Sequence, residues 1–334
     1  MIMAEKFVIE DQTKVDAAIA KYQAETETLI HEIETSPTTV TVKGTKYYVA
    51  ADGDDSNDGR SPESPWKTVG KVCGFTFEEG DGVFFKRGDS WRIVKHLQTQ
   101  KGVTYSAYGS GAKPKLIASV DGSGADKWIK TKYENIYEFV EKIPDERDVG
   151  TIVFDGGRAW GVQVQMKKDG SRMSNGEVFN GIETYLSAGG SFDDMSAIHN
   201  NLEFYHNWED DTLYLYCASG NPGEVFDSIE IVDKGHGIAG CGEDVVIDNL
   251  EIFGAGSHGI GYGSVKNLLV QYCVLKWIGG SIQGKYIFNQ DYGVRFGNAV
   301  ESYGASDNFT IRYCYASQVY DCCWTTQWCG RPCG

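Results

Sequence analysis

The chain has 334 residues, 41% of them hydrophobic, which is enough for one large domain or two modest ones. Its formal net charge of -16 excludes a nucleic-acid partner, which needs a basic stripe, and no apolar run of about 18 residues is present to span a membrane. The same charge opposes a polyanionic ligand unless local cations or Ca²⁺ reverse the field.

In chain order, residues 10–34 are expected to form a helix. Val15, Ile19, Tyr22, Leu29 and Ile33 recur along one stripe, with Thr26 filling the gap. The stripe suits a helix packed on its own domain over an open end, or a short oligomerising coil. Ser36-Pro37 ends the helix, and a first strand is expected at 40–42. Residues 1–45 are thus a helix and linker ahead of a β domain at 46–334. The start, MIMAEKFVIEDQ, lacks a basic segment followed by an apolar one, and the nine cysteines are odd in number. Both observations point to a reducing, cytoplasmic setting.

Next comes an acidic loop, Asp52 to Asp58. Asp54, Ser56, Asp58 and Gly59 follow EF-hand spacing, but Pro65 stands where the closing Glu belongs. Asx-turns account for the same residues. No metal or cofactor is expected, with Ca²⁺ at this loop as the alternative. The later cluster Cys322, Cys323, Cys329 and Cys333 lacks the paired spacing of a zinc site. From Gly82 to Ile117 short strands alternate with glycine turns. Residues 121–225 break that rhythm and read as a β-rich elaboration inserted into it.

Residues 226–328 carry a repeat. Ile229-Glu230-Ile231 leads to His236-Gly237-Ile238, and Leu250-Glu251-Ile252 leads to His258-Gly259-Ile260. Val274-Leu275 leads, after an insertion at 282–297, to Asn298-Ala299-Val300. A second phrase pairs Asn267 to Cys273 with Asn308 to Cys314, which makes Cys273 and Cys314 equivalent, stacked small apolar residues. Short alternating segments at this period mark a solenoid of strands, whose long outer face suits a linear polymer. Residues 329–334 carry no capping pattern and are expected to be a truncated or non-native end.

The segment YYVAADGDDSNDGRSPESPWKTV at 47–69, with GDGVFFKRGDSWR at 80–92, resembles the first coil of bacterial proteins of the pectate-lyase-like superfamily. SHGIGYGSVKNLLVQYCVLKWIGGSIQ at 257–283, RFGNAVESYG at 295–304 and VYD at 319–321 resemble central coils of its carbohydrate-active branch. The resemblance implies an all-β fold, a right-handed parallel β-helix with a glycan groove along one outer face. It implies a carbohydrate-active enzyme, with hydrolysis, uronate lysis and epimerisation all hosted by such coils, or a non-catalytic glycan-binding adhesin, and it would also allow a secreted protein.

Glycoside hydrolysis needs two carboxylates about 5–10 Å apart, one protonated and one ionised. Glu301, opposite in parity to the inward Val300, is expected to face outward as one of them, and Asp321, one coil on, as the other. Counted along extended strands they stand roughly 13 Å apart, which requires a turn to close the gap. His236, His258 and Asn298 share the inward parity and are expected to form an internal polar ladder, with His258 as the alternative proton carrier. Arg295 fits a salt bridge or a sugar-hydroxyl donor, and His258, Trp277, Trp324, Tyr292 and Gln327 complete the expected glycan contacts.

Overall fold

Ile238, Ile260 and Val300 stand in register on neighbouring parallel strands, as the repeat requires. The computed structural model describes residues 11–144, 147–164, 198–207, 210–282 and 295–327. Three sheets are built only from parallel pairs. The first runs through Lys46–Val49, Gly82–Lys86, Thr104–Tyr108, Val246–Asp248, Val265–Gln271 and Ser306–Arg312. The second runs through Ser90–Arg92, Lys115–Ile117, Glu251–Phe253, Val274–Ile278 and Tyr315–Val319. The third runs through Leu97–Thr99, Ile238–Gly240, Ile260–Tyr262, Val300–Ser302 and Trp324–Thr326. The chain visits the sheets in this order on every pass from Gly82 onward.

Side chains alternate across a strand, so each sheet sends one row into the space the three enclose. Val83, Tyr105, Ile247 and Val270 form one row, Trp91, Leu116, Ile252 and Leu275 a second, Leu97, Ile238, Ile260 and Val300 a third. All are buried in one cluster, each full burial stabilising by roughly 1.5–3 kcal/mol. Cys273 and Cys314 extend this core at adjacent levels, as their equivalence predicts. Asp244, between Gly242–Glu243 and Val246–Asp248, and Asn267 and Asn308, inside Val265–Gln271 and Ser306–Arg312, take left-handed φ of 57°, 52° and 52°. Their side chains stack, Asn267 donating to Asp244 at 2.7 Å and Asn308 donating to Asn267 at 2.8 Å. Asn and Asp tolerate this backbone region better than other non-glycine residues.

The elaboration is wider than its composition suggests. Ile229–Asp233 does not belong to the coils. It pairs antiparallel with Val149–Phe154 and Val120–Asp121 in a four-stranded sheet. The alternation Ile229-Glu230-Ile231 suits either sheet, and the partner that Glu251-Ile252-Phe253 finds is Lys115-Leu116-Ile117, from before the insertion. A second, five-stranded sheet contains Trp128–Lys130, Ile136–Phe139, Glu203–Asn207, Thr212–Tyr216 and Val162–Gln163. The two share a core that includes Phe139, Ile152, Phe154, Phe204 and Leu215. Val153 and Val232 then pack on Phe253, Ile117 and Trp277, fastening the elaboration to the outer face of the second parallel sheet.

The expected helix spans Gln12–Thr35, capped by Asp11, whose side chain accepts from the Lys14 N–H. It does not pack over the domain, since none of its residues is buried and Ile19, Tyr22 and Leu29 are 50%, 64% and 58% exposed. Only its end is fastened. Asn249 Oδ1 accepts from Ser36 Oγ at 3.0 Å, Arg87 at 2.8 Å and Lys113 at 2.7 Å. No strand forms at 40–42, and the first is Lys46–Val49. In the acidic loop the carboxylates are taken by backbone donors, Asp54 by Ser56, Asp58 by Arg60, and Asp55 by Lys67 and Thr68. Among the described residues no group of three His, Cys, Asp or Glu side chains is placed to hold a metal, and no helix is long and apolar enough to cross a membrane.

Candidate active site

The corner where the chain passes from the second to the third sheet opens into a cavity of about 530 Å³. His236, His258, Gly261, Arg295, Phe296, Glu301, Tyr303, Asp321 and Gln327 line it. Gly261, Glu301 and Thr325 are register partners on three successive strands, one position beyond the buried Ile260 and Val300 and the part-exposed Trp324. That single step sends Glu301 out of the core row. Gly261 leaves room beside it, because a side chain there would meet His258 and His236.

His236 and His258 lie at equivalent corners, and their rings stack at 5.3 Å and 8°. Phe296 continues the pile over His258 at 4.9 Å. Of the expected ladder, His236 and His258 face the cavity instead of the coil interior, while Asn298 is buried as expected. The parity argument fails here because residues 237 and 299 bend ahead of their strands, so counting by twos does not carry across. Burial, then the neighbouring His236, pushes His258 down to about 3; burial, then His96, pushes His236 down to about 4. Both rings are neutral near pH 7. The Asn298 backbone N–H donates to His258 Nδ1 at 3.0 Å, which puts the ring proton on Nε2.

Glu301 Oε2 sits 3.1 Å from that same Nδ1. With a neutral imidazole this contact is not an ion pair, and it is favourable when the carboxyl carries the proton. Burial raises the Glu301 pKa and the nearby charge of Asp321 raises it further, while the hydrogen bond from Asn298 opposes both. Asn298 is fully buried. Its amide donates to Glu301 Oε2, and its carbonyl oxygen accepts from the Cys322 N–H at 2.9 Å. One side chain therefore holds Glu301 and the backbone beside Asp321. Asp321 is exposed, and its own N–H bonds Gly297 O at 3.1 Å. The chain bends at 321 and 323, so the separation counted along straight strands does not apply, and the two carboxylates line one cavity.

Arg295 lines the cavity with its guanidinium committed to the elaboration. It donates to Gln163 and to the Gly280 carbonyl, and lies 3.8 Å from Asp148. Gln327 lines the cavity and is held by its N–H on Ser302 O at 2.8 Å. Two expected contacts fall elsewhere. Trp277 faces the elaboration, 6.0 Å from Trp160 and against the Val153 cluster. Trp324 pairs with Val300 and so continues a core row, 40% exposed. An aromatic side chain cannot be sorted between core and groove until its position in the ladder is known. Tyr292 lies outside the described residues. Phe296 and Gly261 were not marked in the sequence, although the alignment of 260 with 300 places Gly261 opposite Glu301.

No protein-family model matches the chain. A stretch of 107 residues, 29% of this chain, is 32% identical to a lacto-N-biosidase of Bifidobacterium longum subsp. longum, and spans 7% of that protein. Among solved structures, the complex of XylC with xylose aligns at 14% identity and a TM-score of 0.47, covering 79% of this chain and 42% of that one. A GH136 lacto-N-biosidase from Eubacterium ramulus aligns at 14% identity and a TM-score of 0.33, covering 84% and 41%. The chain spans less than half the length of either structure and a small fraction of the Bifidobacterium protein.

Proposed function

We propose that this chain is the glycan-cleaving region of a carbohydrate-active enzyme, built on a right-handed parallel β-helix, and that it hydrolyses glycosidic bonds. The observation that carries this reading is the pair Glu301 and Asp321 on one cavity in unlike surroundings. Glu301 is buried, faces a neutral imidazole and is driven toward its protonated form, which suits a general acid at the leaving oxygen. Asp321 is open to water and suits the base or nucleophile. Tyr303 and Phe296 offer apolar faces to a sugar ring, and Gln327 offers polar contacts to its hydroxyls. The stretch similar to a lacto-N-biosidase supports an oligosaccharide as the substrate. A uronate lyase would use a cation against the sugar carboxylate, and Arg295 is already engaged by Asp148 and Gln163.

The test is degradation of a panel of neutral and acidic oligosaccharides by the wild type, Glu301→Gln and Asp321→Asn. Reducing ends without absorbance near ~235 nm are expected, with each variant slowed about 10²–10⁴-fold. Wild-type turnover in both variants would remove the assignment, and new absorbance would mark elimination instead.

A further inference from the structure

A second cavity of about 830 Å³ lies at the same corner of the fold, nearer the first coil. Its floor is the connection from Ser90–Arg92 to Leu97–Thr99, and its rim is the segment 67–73. This connection is the first-coil counterpart of the corners that carry His236 and His258. His96 lies 6.3 Å from His236 between ring centres, so the wall of one cavity continues into the wall of the other.

The two cavities have opposite charge. The first presents Glu301 and Asp321. The second is lined by Lys67, Arg92, Lys95 and His96, with no Asp or Glu among its lining residues, in a chain of net charge -16. Arg92 is neutralised by a two-point bond to Glu230, at 2.6 and 3.0 Å. Lys67 and Lys95 are exposed on the rim, and neither has a carboxylate within 4.0 Å among the described residues, although the Lys67 charge acts on Asp54. Val94, 99% exposed between Arg92 and Lys95, adds an apolar contact at the lip. A local pair of cations inside an overall anionic field favours a ligand with one negative group over a polyanion, which the rest of the surface would repel.

We propose that this cavity is a distal subsite for an anionic substituent, a sugar carboxylate or a sulfate, on the glycan whose cleavage point occupies the first cavity. The inference rests on the proposed function and names the substrate class more narrowly: a neutral chain bearing an acidic sugar some units from the scissile bond.

Binding is measured on the full chain carrying Glu301→Gln, so that turnover does not intervene. The probes are a neutral tetrasaccharide from the panel, its sialylated form and its sulfated form, titrated by calorimetry at low and high salt. The acidic forms are expected to bind about tenfold more tightly than the neutral parent. That preference is expected to vanish at about 0.5 M sodium chloride and in Lys67→Glu/Lys95→Glu. Comparing the sialylated and sulfated arms identifies which anion is preferred. Lys67→Gln/Lys95→Gln repeats the test with a milder change, and melting temperature reports folding. Equal binding of all three probes, or a preference that survives both double variants, overturns the proposal. A preference for the acidic forms with no hydrolysis by the wild type would sink the catalytic reading and leave the subsite standing.

Discussion

Glu301 Oε2 lies 3.1 Å from His258 Nδ1, and the same Nδ1 already accepts the Asn298 backbone N–H. The contact joins two acceptors unless a proton lies between them. Because burial keeps the imidazole neutral, that proton belongs to the carboxyl group. Asp321 adds a negative charge that strengthens this preference. In Asp321→Asn the Glu301 pKa is therefore expected to fall, and in Asn298→Ala, which removes the opposing hydrogen bond, to rise. Carboxyl carbon-13 titration by NMR measures both without requiring activity. The activity of the wild type should fall as pH rises through the Glu301 pKa, since the acid loses its proton. If the two variants shift Glu301 in the same direction, the two influences have been misassigned.

Gly261 offers a probe of the cavity that leaves both carboxylates in place. A Cβ at this position would stand 3.1 Å from His258 Cβ and 3.2 Å from His236 Nδ1. These contacts are tight but short of a backbone clash, so Gly261→Ala should fold and displace the stacked rings slightly. Small displacements beside a reacting centre are costly, and kcat/KM is expected to drop roughly tenfold or more. A melting temperature within a few degrees of the wild type, paired with that loss, is the expected result. Unchanged kinetics would show that the ladder does not shape the reacting space.

The repeat made the ladders legible before any coordinates. Asn267 and Asn308 pair as their alignment implies, and Ile238, Ile260 and Val300 share a level. Two kinds of information were not available in the residue order. One is long-range pairing. Leu116 and Ile252 are neighbours although the elaboration separates them, and nothing in Ile229-Glu230-Ile231 distinguishes a coil strand from the antiparallel strand it forms. The other is the course of the chain at corners. Bends at 237, 299, 321 and 323 break the two-residue alternation, which is why the histidines face the cavity and why Asp321 approaches Glu301. Glu301 itself was readable because it sits inside a strand, where alternation holds.

The asparagine ladder should carry measurable stability. Asn267 donates one side-chain hydrogen bond, accepts another, and holds φ at 52°. Asn267→Ala removes both bonds and leaves a side chain poorly suited to that backbone. A loss of about 1–3 kcal/mol is expected in urea unfolding. Asn267→Gly relieves the backbone part while still losing the bonds, so it should fall between alanine and wild type. Equal losses for the two would assign the whole effect to the hydrogen bonds.

Lys113 is buried where the helix ends, donating to Ser36 Oγ at 2.9 Å and Asn249 Oδ1 at 2.7 Å. Burial pulls its pKa down from the usual 10.5 to about 8, and the neighbouring Arg87 acts in the same direction. Between about pH 8 and 10.5 the unfolded chain holds the proton that the folded chain has released. Stability from this group therefore rises with pH across that window, by an amount on the order of a few kcal/mol. Below about pH 8 both states are charged and the burial penalty is present in full. Lys113→Met removes the titrating group and fills the same space with an apolar chain. The expected outcome is a variant at least as stable as wild type at pH 7, with the advantage shrinking as pH rises toward 10. Urea midpoints for both proteins at several pH values measure the difference, which cancels cysteine and tyrosine titrations common to the two. A stability difference independent of pH would mean that Lys113 keeps its proton in the folded chain, sustained by Asp248 across the cluster.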